Sequence, residues 1–327
     1  GDLIANLNPN QELRDYQKEA IGRFDFYIKE YPNKQKPFHL LFHMATGSGK
    51  TLIMAASILH LYEKGYRNFI FFVNSTNIIK KTKENFMNPS SGKYLFAYKI
   101  KFGDEEVSIY EVDNFEAADP RGINILFTTI QGLHSRLNSP REDSITYEDF
   151  AEKKIVLLSD EAHHINTLTK LKKSDQRALF AEGEVGDIQG LKKDEEEELR
   201  SWEGTVMRIL NADKDNILLE FTATIDLHHP AIAAKYADKI IFEYDLKQYR
   251  LDRFSKEIEI LEADLPRMER ALVAVILSQY RMKVAQKHKI RLKPVVMFKA
   301  NRVNAPKKTQ QEVVVSNEFK STFLDTI

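Results

Sequence analysis

The stretch Met44-Ala45-Thr46-Gly47-Ser48-Gly49-Lys50-Thr51 narrows what this chain can fold into more than any other. The apolar run Phe38 to Phe42 precedes it and reads as a buried strand. Leu52 to Tyr62 follows and reads as a helix. Two glycines let the backbone curl closely around an anion, and the amides there and at the helix start point inward at phosphate. Lys50 can reach the outer phosphates, and the Thr51 hydroxyl can ligate magnesium. The strict spacing G-x-x-x-x-G-K-S/T asks for glycine where Met44 stands, so the pattern is carried by the Thr46 to Thr51 core.

Further short apolar runs have the same character: Phe69 to Val73, Ile123 to Thr128, Ile155 to Ser159 and Ile217 to Phe221, with Ile240 to Tyr244 as one more candidate. Amphipathic segments alternate with them. That alternation predicts an α/β fold with a mostly parallel sheet covered by helices on both faces. Leu13 to Tyr27 has helical spacing and is expected to end before Tyr31-Pro32. Residues 1–10 read as a polar loop, and Lys93 to Glu111 as a peripheral strand or hairpin. Residues 166–200 are strongly polar and read as a solvated insertion that runs into a helix around Trp202 to Leu210.

The second chemical feature closes the fourth strand: Asp160-Glu161-Ala162-His163. A parallel sheet places ligand-binding groups just past its strand ends. Asp160 and the Lys50 loop can therefore face one pocket although they are far apart in the chain. Asp160 would hold magnesium opposite Thr51, and Glu161 would act as general base or water orienter for attack on a γ-phosphate. The alternative is that an acidic pair after a strand only starts a helix. His163 would bridge the phosphate pocket to a neighbouring motif. The adjacent His163-His164 does not have the spacing of a zinc protease site, and His39, His43, His228 and His229 read as structural or surface residues.

Upstream, Leu13-Arg14-Asp15-Tyr16-Gln17 offers a carboxamide at Gln17 that can donate and accept at once, which suits an adenine edge. Tyr16 or Arg14 would lie near the base. Thr222-Ala223-Thr224 leaves the fifth strand and could bond to His163 or the acidic pair, linking nucleotide state to domain position; a polar strand exit is the alternative. Asn74, Ser75, Thr76 and Lys80 follow the second strand. Thr128, Thr129, Gln131 and His134 follow the third. Hydroxyls, amides and lysines at helix starts suit nucleic-acid phosphates, or ordinary capping.

Composition sets few limits. The 327 residues are 43% hydrophobic and 29% charged with zero formal net charge, so there is no global basic signal for nucleic acid, although a local groove would suffice. Cysteine is absent, which excludes disulfides and thiolate metal sites and fits a reducing, cytoplasmic setting. No apolar stretch spans a membrane. The start at Gly1 rather than Met is expected of a cleaved tag or an excised fragment.

The order of these motifs resembles a superfamily 2 helicase-type ATPase with a RecA-like P-loop fold. Gln17 matches the adenine motif, Ala45 to Thr51 the phosphate loop, Asp160 to His163 the DEAH box, and Thr222 to Thr224 the Thr-Ala-Thr motif. Within that superfamily the chain is similar to the restriction (Res) subunit of type III restriction-modification enzymes. Phe42 to Thr51, Asp160 to His164, Ser201 to Val206 and Phe221 to Thr224 carry that likeness. The resemblance implies ATP and Mg2+ as cofactors and a motor on double-stranded DNA. It also implies a methyltransferase partner that specifies the site, and a nuclease domain further along. Another superfamily 2 DNA or RNA helicase, or a nucleotide-dependent switch, remains the alternative.

The expected layout is a RecA-like domain over residues 1–245 and a helical linker over 246–290, with a long helix from Arg267 to His288. A second RecA-like domain would begin at 291–327, opening on a buried strand at Leu292 to Phe298 and ending in a helix over Gln311 to Ile327. No arginine motif of a second domain is recognisable beyond Phe298-Lys299, and Arg302 stands too close to that strand. The paired acidic residues and lysine of a nuclease have no candidate either. The isolated chain is therefore expected to bind ATP and hydrolyse it poorly.

Overall fold

Side chains alternate across a strand, so a strand covered on both faces must be apolar at every position. The long strands follow this rule. The structure, a computed structural model, describes residues 2–297 except 33, 117, 139–145, 148–149, 151–152, 161–192, 256–260 and 263. It divides into two units, Gly1–Lys256 and Glu257–Ile327.

In the first unit the described elements run α1 (Asp2–Ala5), α2 (Asp15–Lys29), β1 (Phe38–Met44), α3 (Lys50–Glu63), β2 (Asn68–Val73) and α4 (Thr76–Met87). Then come β3 (Ile100–Phe102), β4 (Glu105–Val107), β5 (Ile109–Glu111), β6 (Ile123–Thr129), α5 (Ile130–Asn138) and β7 (Ile155–Asp160). The unit closes with α6 (Lys193–Ala212), β8 (Ile217–Thr222), α7 (Pro230–Tyr236), β9 (Ile240–Tyr244) and α8 (Leu246–Leu251). Seven strands form one sheet in the order β5-β6-β2-β7-β8-β1-β9, and every pairing in it is parallel. This is the RecA-like P-loop fold that the strand–helix alternation predicts.

The two faces are packed separately. Leu40, Phe42 and Met44 of β1 join Phe69 and Phe71 of β2, Val156 and Leu158 of β7, and Leu219 and Phe221 of β8 in the main core beneath α2 and α3. The alternate positions Ile70, Phe72, Ile155, Leu157 and Leu218 pack with Ile130 and Leu133 of α5 and Ile209 and Leu210 of α6. Phe42 and Phe221 stack across β1 and β8 with centroids 4.7 Å apart, and Phe24 of α2 meets Phe42 edge-on at 6.0 Å. Helix α3 is buried from Leu52 through Tyr62, as a helix apolar on all sides must be.

Three sequence expectations change. Residues 1–10 are more than a loop: α1 is a single turn, Leu7 is buried and bridges Phe96, and the Asn6 carboxamide bonds both backbone groups of Lys101 (2.7 Å each). A polar side chain there mimics a strand neighbour, which hydrophobic spacing does not reveal. Lys93 to Glu111 yields the antiparallel pair β3–β4 and a separate parallel edge strand, β5.

The third change is in the second unit, where α9 (Arg267–Lys287) forms as expected, but Leu292 to Met297 is not a strand. Val295 and Met297 are 84% exposed. A strand exists only through its ladder, Pro294 has no N–H to give, and no paired neighbour stands beside this stretch among the described residues. Phe298, and the helix expected over Gln311 to Ile327, lie outside the described residues, as does most of the polar segment 166–200.

One polar pair sits inside the sheet. Glu220 of β8 and His39 of β1 are both buried and bonded to each other. Facing an ionised carboxylate, His39 Nε2 is the donor and the Glu220 oxygen the acceptor. Burial alone would raise the Glu220 pKa; the hydrogen bond and charge of His39, with Lys235 and the Tyr236 hydroxyl, outweigh it and hold the carboxyl below its ordinary range. The unfolded chain therefore takes up the proton first as pH falls. The stabilisation is complete above the ordinary carboxylate pKa and disappears as pH falls through the lower folded value. Glu220→Gln, which leaves His39 with no charged partner, should cost about 3 kcal/mol at neutral pH. Urea midpoints measured against pH should show the wild-type advantage shrinking in acid.

Candidate nucleotide-binding site

Parallel register decides which residues share an edge. Phe42, Phe221 and Asp160 pair in one row across β1, β8 and β7, and His43 pairs with Thr222 one step on. On the other side Phe72 pairs with both Ser159 and Thr128, and Val73 with Thr129. The phosphate loop, Asp160, Thr222–Thr224 and the turn at Asn74 therefore all leave the sheet at its carboxyl edge. Asp160 lies two strands from β1, about 10 Å at the usual strand spacing. A carboxylate, a hydrated cation and a phosphate can fill such a gap.

The loop itself has the shape its glycines permit. Gly47 and Gly49 take φ +83° and +87°, left-handed values that side-chain-bearing residues rarely adopt. Gly49 is the residue before α3, so the unsatisfied amides of that helix's first turn open directly onto the loop. Ser48 is buried and closes the turn on Ala45, with both its amide (3.2 Å) and its hydroxyl (2.7 Å) donating to the Ala45 carbonyl. Thr46 is exposed. The Lys50 ammonium lies back over the loop, donating to the carbonyls of Met44 (3.2 Å) and Ala45 (3.4 Å). These are long bonds that a phosphate oxygen would outcompete.

Three donors fix the outer side of the loop. Gln17 Nε2 (2.9 Å) and the Tyr16 hydroxyl (2.8 Å) both donate to the Ser48 carbonyl, and the Tyr249 hydroxyl donates to that of Gly47 (3.0 Å). The Gln17 oxygen accepts from the Arg14 amide at 2.9 Å, the reciprocal half of a capping box on α2. A carboxamide has two N–H groups and two lone pairs, so Gln17 keeps one of each for a ligand.

Tyr16 is engaged within the protein by its hydroxyl and its ring. Its ring stacks on Tyr244 (4.0 Å, 11°) and is buried. Burial raises its pKa over the opposing effect of Arg14, and burial together with Asp252 raises that of Tyr244, so both stay neutral donors. Arg14 is exposed, with its guanidinium 4.1 Å over the Phe254 ring. Tyr244, Tyr249 and Phe254 escape sequence reasoning; an aromatic triplet at the exit of the last strand is the one signal, and its target lies some two hundred residues earlier.

The remaining candidates divide. Thr222 is buried, and its hydroxyl donates to the Thr224 carbonyl (2.8 Å), closing a tight turn around Ala223. Thr129 accepts from the Gly132 amide (3.0 Å), so its hydroxyl caps α5, and Thr128 is buried and donates to the Thr129 carbonyl. His134 bonds Thr205 of α6 (2.7 Å) and Asn138, which assigns it to helix packing. Ser75 occupies the N-cap of α4 without a capping bond from its side chain, and Asn74, Thr76, Lys80 and Gln131 are partly or fully exposed along the same edge. Glu161 and His163 lie outside the described residues.

For magnesium, the described residues contain no group of three or more His, Cys, Asp or Glu gathered as a metal cage. The Thr51 hydroxyl and Asp160 carboxylate nevertheless fit this ion, whose usual set is one or two protein oxygens with water and substrate phosphate completing the octahedron.

Gly49→Ala tests the cradle. A Cβ there would stand 2.4 Å from Nε2 of Gln17, whose carboxamide is held at both ends by hydrogen bonds, in a backbone conformation that costs alanine about 1–2 kcal/mol. The variant should melt earlier and lose most of its ATP affinity, read by calorimetric titration.

Comparisons with known proteins bear on the family of the chain. The family "Type III restriction enzyme, res subunit" matches residues 10–227. The probable type III restriction-modification enzyme HindVIP Res subunit of Haemophilus influenzae is 40% identical over 304 residues, 90% of this chain and 58% of that protein. The chain thus spans a little over half the length of that relative. Among solved structures, the helicase domain of Pyrococcus furiosus Hef shares 17% identity at a TM-score of 0.40, covering 92% of this chain and 53% of that one. A nuclease-deletion mutant of the type ISP restriction-modification enzyme LlaGI, solved with a DNA substrate mimic, shares 13% at 0.36, covering 85% and 23%. With residues 10–227 matched, two thirds of its length, the chain belongs to the type III restriction enzyme Res-subunit family.

Proposed function

We propose that this chain is the ATP-binding half of a motor that moves on, or switches upon, double-stranded DNA, within a restriction enzyme. The observation that carries this reading is the shared carboxyl edge: a left-handed glycine loop with Lys50 at a helix start, and Asp160 and Thr222 on the strands beside it. Thr46 to Thr51 hold the phosphates, Gln17 and Arg14 the adenine, and Thr51 with Asp160 the magnesium. Lys50 swings from the Met44 and Ala45 carbonyls onto the outer phosphate oxygens and stabilises charge as the γ-phosphoryl group departs. Magnesium, when bound, neutralises the phosphate charge that repels an incoming nucleophile. Glu161 takes the proton from, or orients, the attacking water, and His163 passes the state of the site to Thr222–Thr224.

Asn74, Ser75, Thr76, Lys80, Thr128, Thr129 and Gln131 line the rest of that edge and suit the phosphates of a nucleic-acid strand. The hydroxyls of Thr128 and Thr129 already serve the backbone, so Asn74 to Lys80 form the stronger part of that surface. Family membership supports DNA as the track and a DNA-methyltransferase partner that specifies the site. Among the described residues no helix is long and apolar enough to cross a membrane; a cytoplasmic location is proposed on that footing. Residues 291–327 are proposed as the opening of a second RecA-like domain.

Lys50→Ala should weaken ATP binding at least tenfold, and Asp160→Asn should remove the magnesium dependence of binding while leaving free-nucleotide affinity within about threefold. ATP turnover by the protein, measured with duplex DNA, single-stranded DNA or RNA added, identifies the track. Stimulation by RNA alone would replace the restriction reading with an RNA-directed motor, and no stimulation by any nucleic acid would favour a switch.

A further inference from the structure

Glycine makes a phosphate loop possible and also makes it indefinite. A peptide plane next to a glycine can turn over at small cost, because neither carbonyl orientation meets a side chain. The planes on both sides of Ser48 adjoin Gly47 or Gly49, so the loop's covalent structure alone does not decide where its carbonyls point. Since the peptide group is planar and trans, the direction of each carbonyl sets the opposite direction of the next amide. Holding the Ser48 carbonyl on the outer side turns the Gly49 amide inward. Holding the Gly47 carbonyl aims the Ser48 amide at Ala45 and closes the turn.

Tyr16 and Gln17, from the helix just upstream, perform the first task. The second falls to a residue from the far end of the unit. We infer that Tyr249 is a positioning residue for the phosphate loop, holding the Gly47 carbonyl so that a triphosphate meets a cradle already formed. This rests on the ATP-binding reading above.

The surroundings of Tyr249 suit that task. It is 7% exposed, and its hydroxyl donates to the Gly47 oxygen at 3.0 Å. A Cβ at residue 47 would stand 3.5 Å from the same hydroxyl. The ring meets Tyr244 edge-on (6.0 Å) and lies against Phe254 (5.8 Å), so it cannot swing away without breaking an aromatic cluster. The segment carrying it is braced twice. Asp245 accepts from the Gln248 amide (2.7 Å), and Asp252 accepts from the Tyr244 hydroxyl (2.6 Å) and from Gln248 Nε2 (2.9 Å). Where β9 ends, the Tyr244 carbonyl accepts the Ala45 amide (2.8 Å), which ties the first residue of the loop to the same strap. The strap Tyr244–Phe254 thus touches the loop at Ala45 and Gly47 and reaches Arg14 through Phe254.

Calorimetric titration of the full chain with ATP and magnesium, and separately with inorganic tripolyphosphate, tests this. Tyr249→Phe keeps the ring and removes the hydroxyl with its bonds to the Gly47 carbonyl and to Arg14, so both affinities should fall about three- to tenfold. Equal loss for the two ligands locates the defect at the phosphates and not at the base. Tyr66→Phe is the matched comparison, because its buried hydroxyl also donates to a backbone carbonyl (Asp215, 2.7 Å) but at the opposite end of the strands. It should lose stability without losing either affinity.

Unaltered binding by Tyr249→Phe, or equal weakening by Tyr66→Phe, overturns the inference. A wild-type chain that binds neither ligand overturns the nucleotide reading and this inference with it. Hydrogen exchange on the wild type tests the strap without a variant: ATP should protect residues 244–254 together with 44–51, and protection of the loop alone overturns the coupling.

Discussion

Parallel pairing is the constraint on which the rest of this molecule depends. With all seven strands of the main sheet running one way, every strand-to-loop exit falls on a single edge. Residues that share no local sequence context, Lys50, Asp160 and Thr222 among them, are brought to one edge by the pairing of the strands they end or follow. The cost of that arrangement is that both faces need cover. The alternation of core residues between the α2–α3 side and the α5–α6 side is how the chain meets that need. Phe42 stacked on Phe221 holds β1 and β8 in the register that sets the edge, one residue pair below the last pair of that ladder, His43 with Thr222.

On that edge the phosphate loop is a flexible element made definite by its neighbours. Left-handed glycines allow the curl, and neutral donors on the outside select one form of it. Burial keeps Tyr16 a phenol and not a phenolate, so it remains a donor throughout the ordinary pH range. Gln17 has two tasks, capping α2 through its oxygen and holding Ser48 through its nitrogen, and retains capacity for a ligand. A glutamine read from its motif as an adenine contact is thus equally part of the loop's mounting. The two tasks agree, since a carboxamide anchored at both ends presents its remaining groups in one orientation.

Much of the fold was legible because the signals were local. Apolar runs bounded by turn residues marked five core strands and β9, and helical spacing marked α2, α3 and α9. The failures have physical causes. Asn6 completes the β3–β4 edge with a side chain, an interaction with no periodicity. Leu292 to Met297 has strand-like composition and no partner, and composition cannot supply a ladder. His134 sits after a strand like a nucleic-acid contact but is claimed by Thr205, a residue that only the packing of α5 on α6 brings near.

By itself, the amino-acid sequence determined the α/β class, the phosphate loop with its lysine and threonine, and the order of motifs that places the chain in its family. Each of these is written in contiguous residues whose chemistry and spacing carry the meaning. Only the tertiary structure decided which side chains hold that loop in shape. It bonded Tyr16 to Ser48, and it brought Tyr249 to Gly47 across most of the domain. Such contacts follow from strand order and register, which many sequences of the same pattern could satisfy differently, and a hydrogen bond between distant residues exists only once that order is set.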